Sequence, residues 1–492
     1  MHHAAAENAS ASGFHSATEV PVPTELTVVG ALPSWLSGRM VHTGPALYDL
    51  PRGGYSHWFD GLALLCSIEI ANGRAMYCSR FLGSEAYLRA REAGRPVLGE
   101  FGTKPPRGRF DELLAHFLPP HPTDNANVNI VDLGGRTIAM TESARHIEFD
   151  PVTLETRGEV DYDDDLEGQL STAHPHVDLD TGELFNLLIR FGRTSAVQVY
   201  AQQLGTVRRR LIASVETSHP SYFHSFAMTE HFIVLTENPL VVNPLKLRFS
   251  TRPYIDRYDW RPELGMRVLA VRKDDGQIRA SATAPPQFVF HHVNAAERGR
   301  SIELDVIAYP DPSIVRRLTL DTLRHGPANT TGQLLRFTMR SDSLDQRISG
   351  DELVPERIEL PRIHPRCERR PYRYLYAVSS VEAGGYFDRI MKIDLDARTM
   401  RAFGRDGWYF GEPLPIPAPG GLAEDEGVVL STVFDAGTQR GRLVVLDGRT
   451  LELIALADLP QIVPFYFHGQ WLSNPCTPGS DVDGKRNQSH VG

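Results

Sequence analysis

The sequence predicts an all-β chain, and three observations lead there. The first is a recurring pattern in which short apolar or β-branched runs flank a turn built on aspartate: Asp150-Pro151-Val152-Thr153-Leu154, Asp178-Leu179-Asp180-Thr181-Gly182, Asp274-Asp275-Gly276, Asp394-Leu395-Asp396-Ala397 and Asp447-Gly448-Arg449-Thr450. Aspartate, glycine and threonine suit tight hairpins, whose turns need local side-chain hydrogen bonds and residues that tolerate a left-handed backbone. The second is composition: 35 prolines and 41 glycines among 492 residues, with few stretches of helical periodicity. The third is that no Gly/Ser-rich or charge-run linker divides the chain. Hairpins repeated along most of a chain favour a β-propeller, which hides its strand edges by radial repetition. A jelly roll or double sandwich is the alternative that the pattern alone leaves open.

In order along the chain, residues 1–20 are mostly small and polar and read as a loose tail. Residues 85–93, with Tyr87 and Leu88, suggest a short helix. Residues 109–118 carry the clearest helical pattern, because Phe110, Leu113, Leu114, Phe117 and Leu118 fall on one face. That stripe is either packed on the body or a patch that touches a membrane beside an entrance for a lipophilic substrate. Residues 476–492 read as a second tail, leaving 21–475 as one folded unit. Such a chain buries about three quarters of the surface its unfolded form exposes, so it needs no structural metal, and a metal would be there for chemistry.

A formal net charge of −10 and a pI near 6.0 supply no basic footprint for a nucleic-acid backbone. Cys66, Cys78, Cys367 and Cys476 have neither C-x-x-C nor other ligand spacing, which argues against a zinc module or a disulfide scaffold. No run of 18 apolar residues occurs and the N-terminus lacks a signal-peptide pattern, so a reducing cytoplasm, with peripheral membrane contact through residues 109–118, is the expected location.

Four of the 19 histidines stand apart by context. His174 lies in Ser171-Thr172-Ala173-His174-Pro175-His176, His224 in Tyr222-Phe223-His224-Ser225, His291 after Phe288-Val289-Phe290 and His468 after Phe465-Tyr466-Phe467. Each ends an apolar run, and each would come from a different propeller blade, whose inner ends meet at one axis. Neutral imidazoles suit iron, zinc or copper, and four of them on an octahedral Fe(II) leave two positions for dioxygen and water. A metal-bound imidazole donates its other N–H to an acceptor that fixes its orientation. Glu142, Glu359 and Glu412, each beside apolar or turn residues, are candidates for that part.

At these residues the chain resembles the carotenoid cleavage oxygenase family, from about Gly38 to His468. The shared fragments are Gly38-Arg39-Met40 with Thr43-Gly44-Pro45, His57-Trp58-Phe59-Asp60-Gly61, Glu100-Phe101-Gly102-Thr103 and Thr123-Asp124-Asn125-Ala126-Asn127. They continue with Thr172-Ala173-His174-Pro175-His176, Phe290-His291-His292-Val293-Asn294, Pro371-Tyr372-Arg373-Tyr374, Glu426-Gly427-Val428 and Phe467-His468-Gly469. The resemblance implies a seven-bladed β-propeller with a helical cap over an axial iron site. It also implies one Fe(II) per chain held by His174, His224, His291 and His468, with Glu142, Glu359 and Glu412 orienting His224, His291 and His468 and no such partner for His174. His291 rather than His292 is the ligand, because the family pattern places it directly after the phenylalanine.

The implied reaction is cleavage of a conjugated carbon–carbon double bond of a carotenoid or apocarotenoid by O2, giving two carbonyl products. Phe59, Phe81 and Phe290 are expected to line the substrate site, and residues 109–118 fall where family members meet a membrane. The motifs look more like the animal β-carotene and retinoid-processing branch than the stilbene-cleaving one. Phe81 and Arg136 stand where a stilbene cleaver's tyrosine and lysine are sought. A stilbenoid substrate and a non-oxidative retinoid isomerohydrolase activity are the alternatives within the family. A binding scaffold would have lost metal histidines, and all four are present.

Overall fold

The structure, a computed structural model, describes residues 8–106, 122–250, 252–382 and 384–473. Its strands follow the hairpin pattern. The aspartate turns close as expected: Asp150 Oδ1 accepts the amides of Val152 and Thr153, and Asp447 Oδ1 those of Arg449 and Thr450. In both turns the left-handed residue is a leucine, Leu154 and Leu451.

Seven blades can be counted from the pairing. The first joins Val20–Glu25, Arg74–Phe81, Leu62–Ala71, Gly38–Leu47 and, from the far end of the chain, Gly469–Ser473. The second runs from Asn129–Asp132 to Thr156–Glu159, the third from Leu170–Ser171 to Arg209–Thr217, and the fourth from Ala227–Met228 to Ile278–Ala284. A seven-stranded sheet then supplies two blades through one long strand, Gly350–Ile363. Its first part pairs Gly332–Arg340 and its last part pairs Tyr374–Ser379. The seventh blade contains Gly427–Asp435, Arg440–Asp447 and Leu453–Asp458, and it takes in Val28–Gly30 from the N-terminal side. The ring is therefore closed twice, by a C-terminal strand in the first blade and an N-terminal strand in the last.

Core packing follows the ring. One apolar cluster joins blades one and two through Val41, Leu65, Ile130 and Phe149, and the next joins two and three through Val131, Ile138, Leu184 and Tyr200. Leu187, Val197, Ile233 and Leu269 join three to four, and Val234, Val268, Ile302 and Leu304 join four to five. At about 1.5–3 kcal/mol per buried large apolar side chain, these seams hold the ring without covalent help. Cys66, Cys78 and Cys367 are free.

The largest cluster lies under a cap made of the connections between strands. It contains Trp58, Leu98, Leu247, Tyr258, Ile314 and Leu320. Glu85–Ala93 is helical as expected, with Ser84 capping the amide of Tyr87 and Gly94 ending it at φ +64°. Residues 109–118 lie outside the described residues, as does the expected tail at 476–492. No helix among the described residues is long and apolar enough to cross a membrane.

Residues 8–20 are not the loose tail that their composition suggested. Phe14 is fully buried, 4.9 Å ring to ring from both Tyr386 and Phe465 and 5.5 Å from Trp58. Asn8 donates to the carbonyls of Leu323 and Gly326. One aromatic side chain anchors a segment that is otherwise small and polar.

Candidate metal centre

The strands nearest the axis are broken where the candidate residues sit. Leu170–Ser171 and His176–Asp178 both pair Glu183–Arg190, while residues 172–175 leave the ladder and expose His174 to the axis. Buried Asn186 fills the gap, accepting from Thr172 Oγ1 and donating to the Thr172 carbonyl. His291 falls in a register shift between Val289 and His292, and Glu359 begins another that ends at Arg362. Leu360, just beyond it, has φ +48°, and its amide donates to Glu359 Oε2 at 2.7 Å. Such bulges re-aim side chains at functional sites. His468 immediately precedes Gly469, where a Cβ would lie 2.2 Å from the His42 ring, so only glycine lets the chain pass.

The four histidines meet. Their Nε2 atoms are 3.2 Å apart from His174 to His224, 3.3 Å from His224 to His291 and 3.1 Å from His291 to His468, and all four ligand atoms lie within 4.8 Å of one another. On the far side of three rings, Nδ1 faces a carboxylate oxygen: His224 to Glu142 at 2.6 Å, His291 to Glu359 at 2.6 Å and His468 to Glu412 at 2.7 Å. An ionised carboxylate only accepts, so each Nδ1 carries the proton and each Nε2 presents a bare lone pair.

Burial lowers the His468 pKa to about 4 against the pull of Glu412, and it lowers His224 against the pull of Glu142. His174 is held well below the usual range, by burial first and then by the other three imidazoles. Neutral imidazoles with lone pairs converging at this spacing repel one another unless a cation lies between them. Two nitrogens about 2.1 Å from a shared cation and at right angles to each other lie about 3.0 Å apart, so the donor set fits a first-row divalent metal.

Above the histidines opens a cavity of about 1500 Å³, larger than the ~300–1000 Å³ of common ligand sites. Its wall is largely aromatic and aliphatic. Phe59 and Phe290 line it, with Phe290 5.1 Å from the His224 ring and Phe59 stacked 6.5 Å from it. Phe467, 5.0 Å from Phe59, joins them.

Comparison with known proteins agrees with this geometry. Residues 13–473 match the family described as retinal pigment epithelial membrane protein. The chain belongs to the carotenoid oxygenase family. Relatives include the β,β-carotene 15,15'-dioxygenase of Mus musculus, 29% identical over 92% of this chain and 89% of that protein. Another is the carotenoid cleavage dioxygenase 8 homolog B of Oryza sativa, 32% identical over 91% and 82%. Among solved structures, a variant of the Synechocystis apocarotenoid oxygenase superposes with a TM-score of 0.83 at 26% identity, covering 96% of this chain and all of that one. A cobalt-substituted form of the same oxygenase gives 0.82 at 27% identity, covering 95% and 98%.

Two features of this carotenoid oxygenase depart from expectation. Phe81 does not line the cavity. It stacks on Tyr87 at 5.2 Å within the seam between the seventh and first blades, because strand alternation turns it away from the axis. Arg136, in the second blade, binds Glu148 and is also absent from the cavity wall. The contrast with stilbene cleavers at these two positions therefore says nothing about substrate.

Sequence reasoning also missed the groups that hold the carboxylates. The Tyr222 hydroxyl donates to Glu142, the Tyr309 hydroxyl donates to Glu359 at 2.7 Å, and Arg362 clasps Glu412 at 2.7 and 2.9 Å. Burial alone would raise Glu412, but the Arg362 guanidinium and His468 outweigh it and hold the carboxyl well below its usual range. Glu359 is lowered in the same sense, burial being outweighed by His291 and Tyr309. Tyr222 stands two residues before His224, a signal that could have been read. Tyr309 and Arg362 come from strands with no comparable mark.

Proposed function

We propose that this chain is a non-haem iron(II) dioxygenase that cleaves a conjugated double bond of a carotenoid or apocarotenoid to carbonyl products, with O2 as co-substrate. The observation that carries this reading is the convergence of four Nε2 lone pairs at the floor of a large apolar cavity. His174, His224, His291 and His468 hold one Fe(II), and Glu142, Glu359 and Glu412 fix the orientation of three of those rings. When bound, the iron would activate triplet dioxygen for reaction with a singlet polyene, the cleaved double bond itself furnishing the electrons that O2 takes up. The names of the relatives, β-carotene dioxygenase and apocarotenoid oxygenase, support the substrate class.

The chain's own residues do the rest. The aromatic wall accepts a rigid, lipophilic polyene, holds one double bond against the metal face and keeps water out while charge develops. Phe59, Phe290 and Phe467 present π systems where positive charge builds on the polyene. The ring as one catalytic unit, and residues 109–118 as a peripheral membrane contact, belong to the same reading. Half-exposed Leu88 and Leu245 stand on elements at the cavity wall and support the latter.

Metal analysis with a product screen tests it: about one iron per chain, and O2 uptake matched by aldehyde formation from β-carotene or an apocarotenal but not from resveratrol. Full cleavage by iron-free protein refutes the reading. Turnover without O2 would move the chain to the isomerohydrolase alternative.

A further inference from the structure

The cavity wall contains a buried acid that the cleavage reaction does not use. Glu100 lines the cavity, yet it is only 4% exposed. Its backbone is pinned, with the amide donating to the Thr103 carbonyl and the carbonyl accepting from the Tyr254 amide. Its Oε1 accepts a hydrogen bond from Thr123 Oγ1 at 3.1 Å, and no other side-chain partner occurs among the described residues.

The neighbouring acids are engaged, and the neighbouring asparagine NH2 groups are tied to the backbone. Asp60 takes the Gly102 amide and the Thr103 hydroxyl, and Asp124 takes the amides of Glu85 and Ala86 at 2.7 and 2.8 Å. The amide of Asn125 serves the backbone of Ala63 and Gly61, and that of Asn127 the carbonyls of Phe59 and Gly61. Unlike Asp60 and Asp124, Glu100 keeps an oxygen to spare, since Oε2 has no partner among the described residues.

We propose that Glu100 determines substrate specificity by donating a hydrogen bond to the oxygen-bearing end, carbonyl or hydroxyl, of a polyene substrate. The inference rests on the dioxygenase reading above. Burial raises the Glu100 carboxyl well above its usual range, and the neighbouring Asp60 and Asp124 push it the same way, which favours the protonated acid. Because Oε1 already accepts from Thr123, the acid proton sits on Oε2. An O–H in an apolar wall matches the lone pair of an aldehyde, ketone or alcohol and has no match on a hydrocarbon ring. A buried donor left unpaired is costly, which turns one hydrogen bond into discrimination against a substrate that cannot accept it. The device resembles other buried carboxylic acids kept neutral to donate.

The test compares kcat/KM for an apocarotenal and for β-carotene in the wild type, Glu100→Leu and Glu100→Gln, with iron content measured in each. Glu100→Leu should lower the aldehyde-to-hydrocarbon ratio about tenfold. Glu100→Gln should restore most of it, since the amide offers an N–H to the substrate and a carbonyl to Thr123. Should Glu100→Leu not fold, Glu100→Asp, which withdraws the acid by one methylene, carries the same expectation. An unchanged ratio, or equal losses on both substrates, overturns the proposal, the second outcome marking a purely structural acid. A wild type that cleaves neither substrate refutes the dioxygenase reading itself.

Discussion

Replacing Glu412 by glutamine should be far more damaging than the same change at Glu359, although both carboxylates face a histidine of the centre. Glu412 receives four hydrogen bonds on two oxygens. Oε1 takes His468 Nδ1 and Arg362 Nε, both at 2.7 Å, and Oε2 takes Arg362 Nη2 at 2.9 Å and the Gly469 amide at 3.1 Å. A glutamine in either orientation turns its NH2 against a pair of donors, one of them a guanidinium that can only donate. Arg362 then keeps its charge in a buried place with its counter-ion gone, a change that costs about 3–5 kcal/mol.

Glu359 differs. Its Oε2 takes His291 Nδ1 and the Leu360 amide, but its Oε1 takes only the Tyr309 hydroxyl, which also lies 2.9 Å from the Thr330 carbonyl. Glutamine can leave its oxygen on the His291 side while Tyr309 turns to Thr330 and accepts from the new NH2, so the loss should stay near 1–3 kcal/mol, about the cost of weakened hydrogen bonds. Chemical denaturation with iron content per chain checks this. Glu412→Gln should show the larger fall in midpoint and the emptier site, and pairing it with Arg362→Met should recover part of the stability. Equal losses, or a worse Glu359→Gln, would refute the geometry argued here.

Three other outcomes are expected. His146, buried beside Arg209, has its pKa lowered to about 3, by burial first, so the native state stays neutral while the unfolded chain takes a proton below about pH 6.5. Its contribution is complete above that value and falls as pH drops. The stability gap between wild type and His146→Gln should therefore shrink by about 1.4 kcal/mol from pH 7.5 to 5.5, and a constant gap would show that His146 does not titrate this way. Phe14→Ala should cost about 3–5 kcal/mol and expose residues 8–20 to limited proteolysis, whereas a loose segment would register neither change. In flotation with vesicles, Leu88→Asp, Leu245→Asp and Phe117→Asp should each weaken binding and slow turnover of vesicle-borne carotenoid. Unchanged flotation of all three would remove the membrane contact.

What could be read in the sequence was whatever carries its neighbours with it. The four histidines and three glutamates each stand in a short run of apolar or turn residues, and the structure has breaks or register shifts of the inner strands at most of these places. Phe81 could not be placed in this way, because in a strand the face of a side chain depends on register with partners that a single run does not reveal. Tyr309 and Arg362 were illegible for a related reason. They reach Glu359 and Glu412 from positions 50 residues away in sequence, as neighbours only across the assembled sheets. The N-terminal segment misled through composition, since the one residue that fastens it, Phe14, is outvoted by small polar neighbours.

The number of carboxylates around the centre follows from charge. Glu142, Glu359 and Glu412 bring three formal negative charges into a buried region, and Arg362 brings one positive charge. The four imidazoles turn their Nε2 lone pairs to one point and add no formal charge. The sum is −2, which a divalent cation cancels, and a dry interior tolerates charge only when it is paired in this way. A fourth carboxylate behind His174 would leave the filled site negative, which accounts for that ring having none of the three. The balance also assigns Arg362 a part beyond holding Glu412. With Arg362→Met the three carboxylates and a divalent ion sum to −1, so the variant should bind a trivalent ion better, relative to a divalent one, than the wild type does. Metal competition between Fe(II) and Ga(III), read by metal content alone, measures that preference, and an unchanged ratio would mean that Arg362 acts only through Glu412.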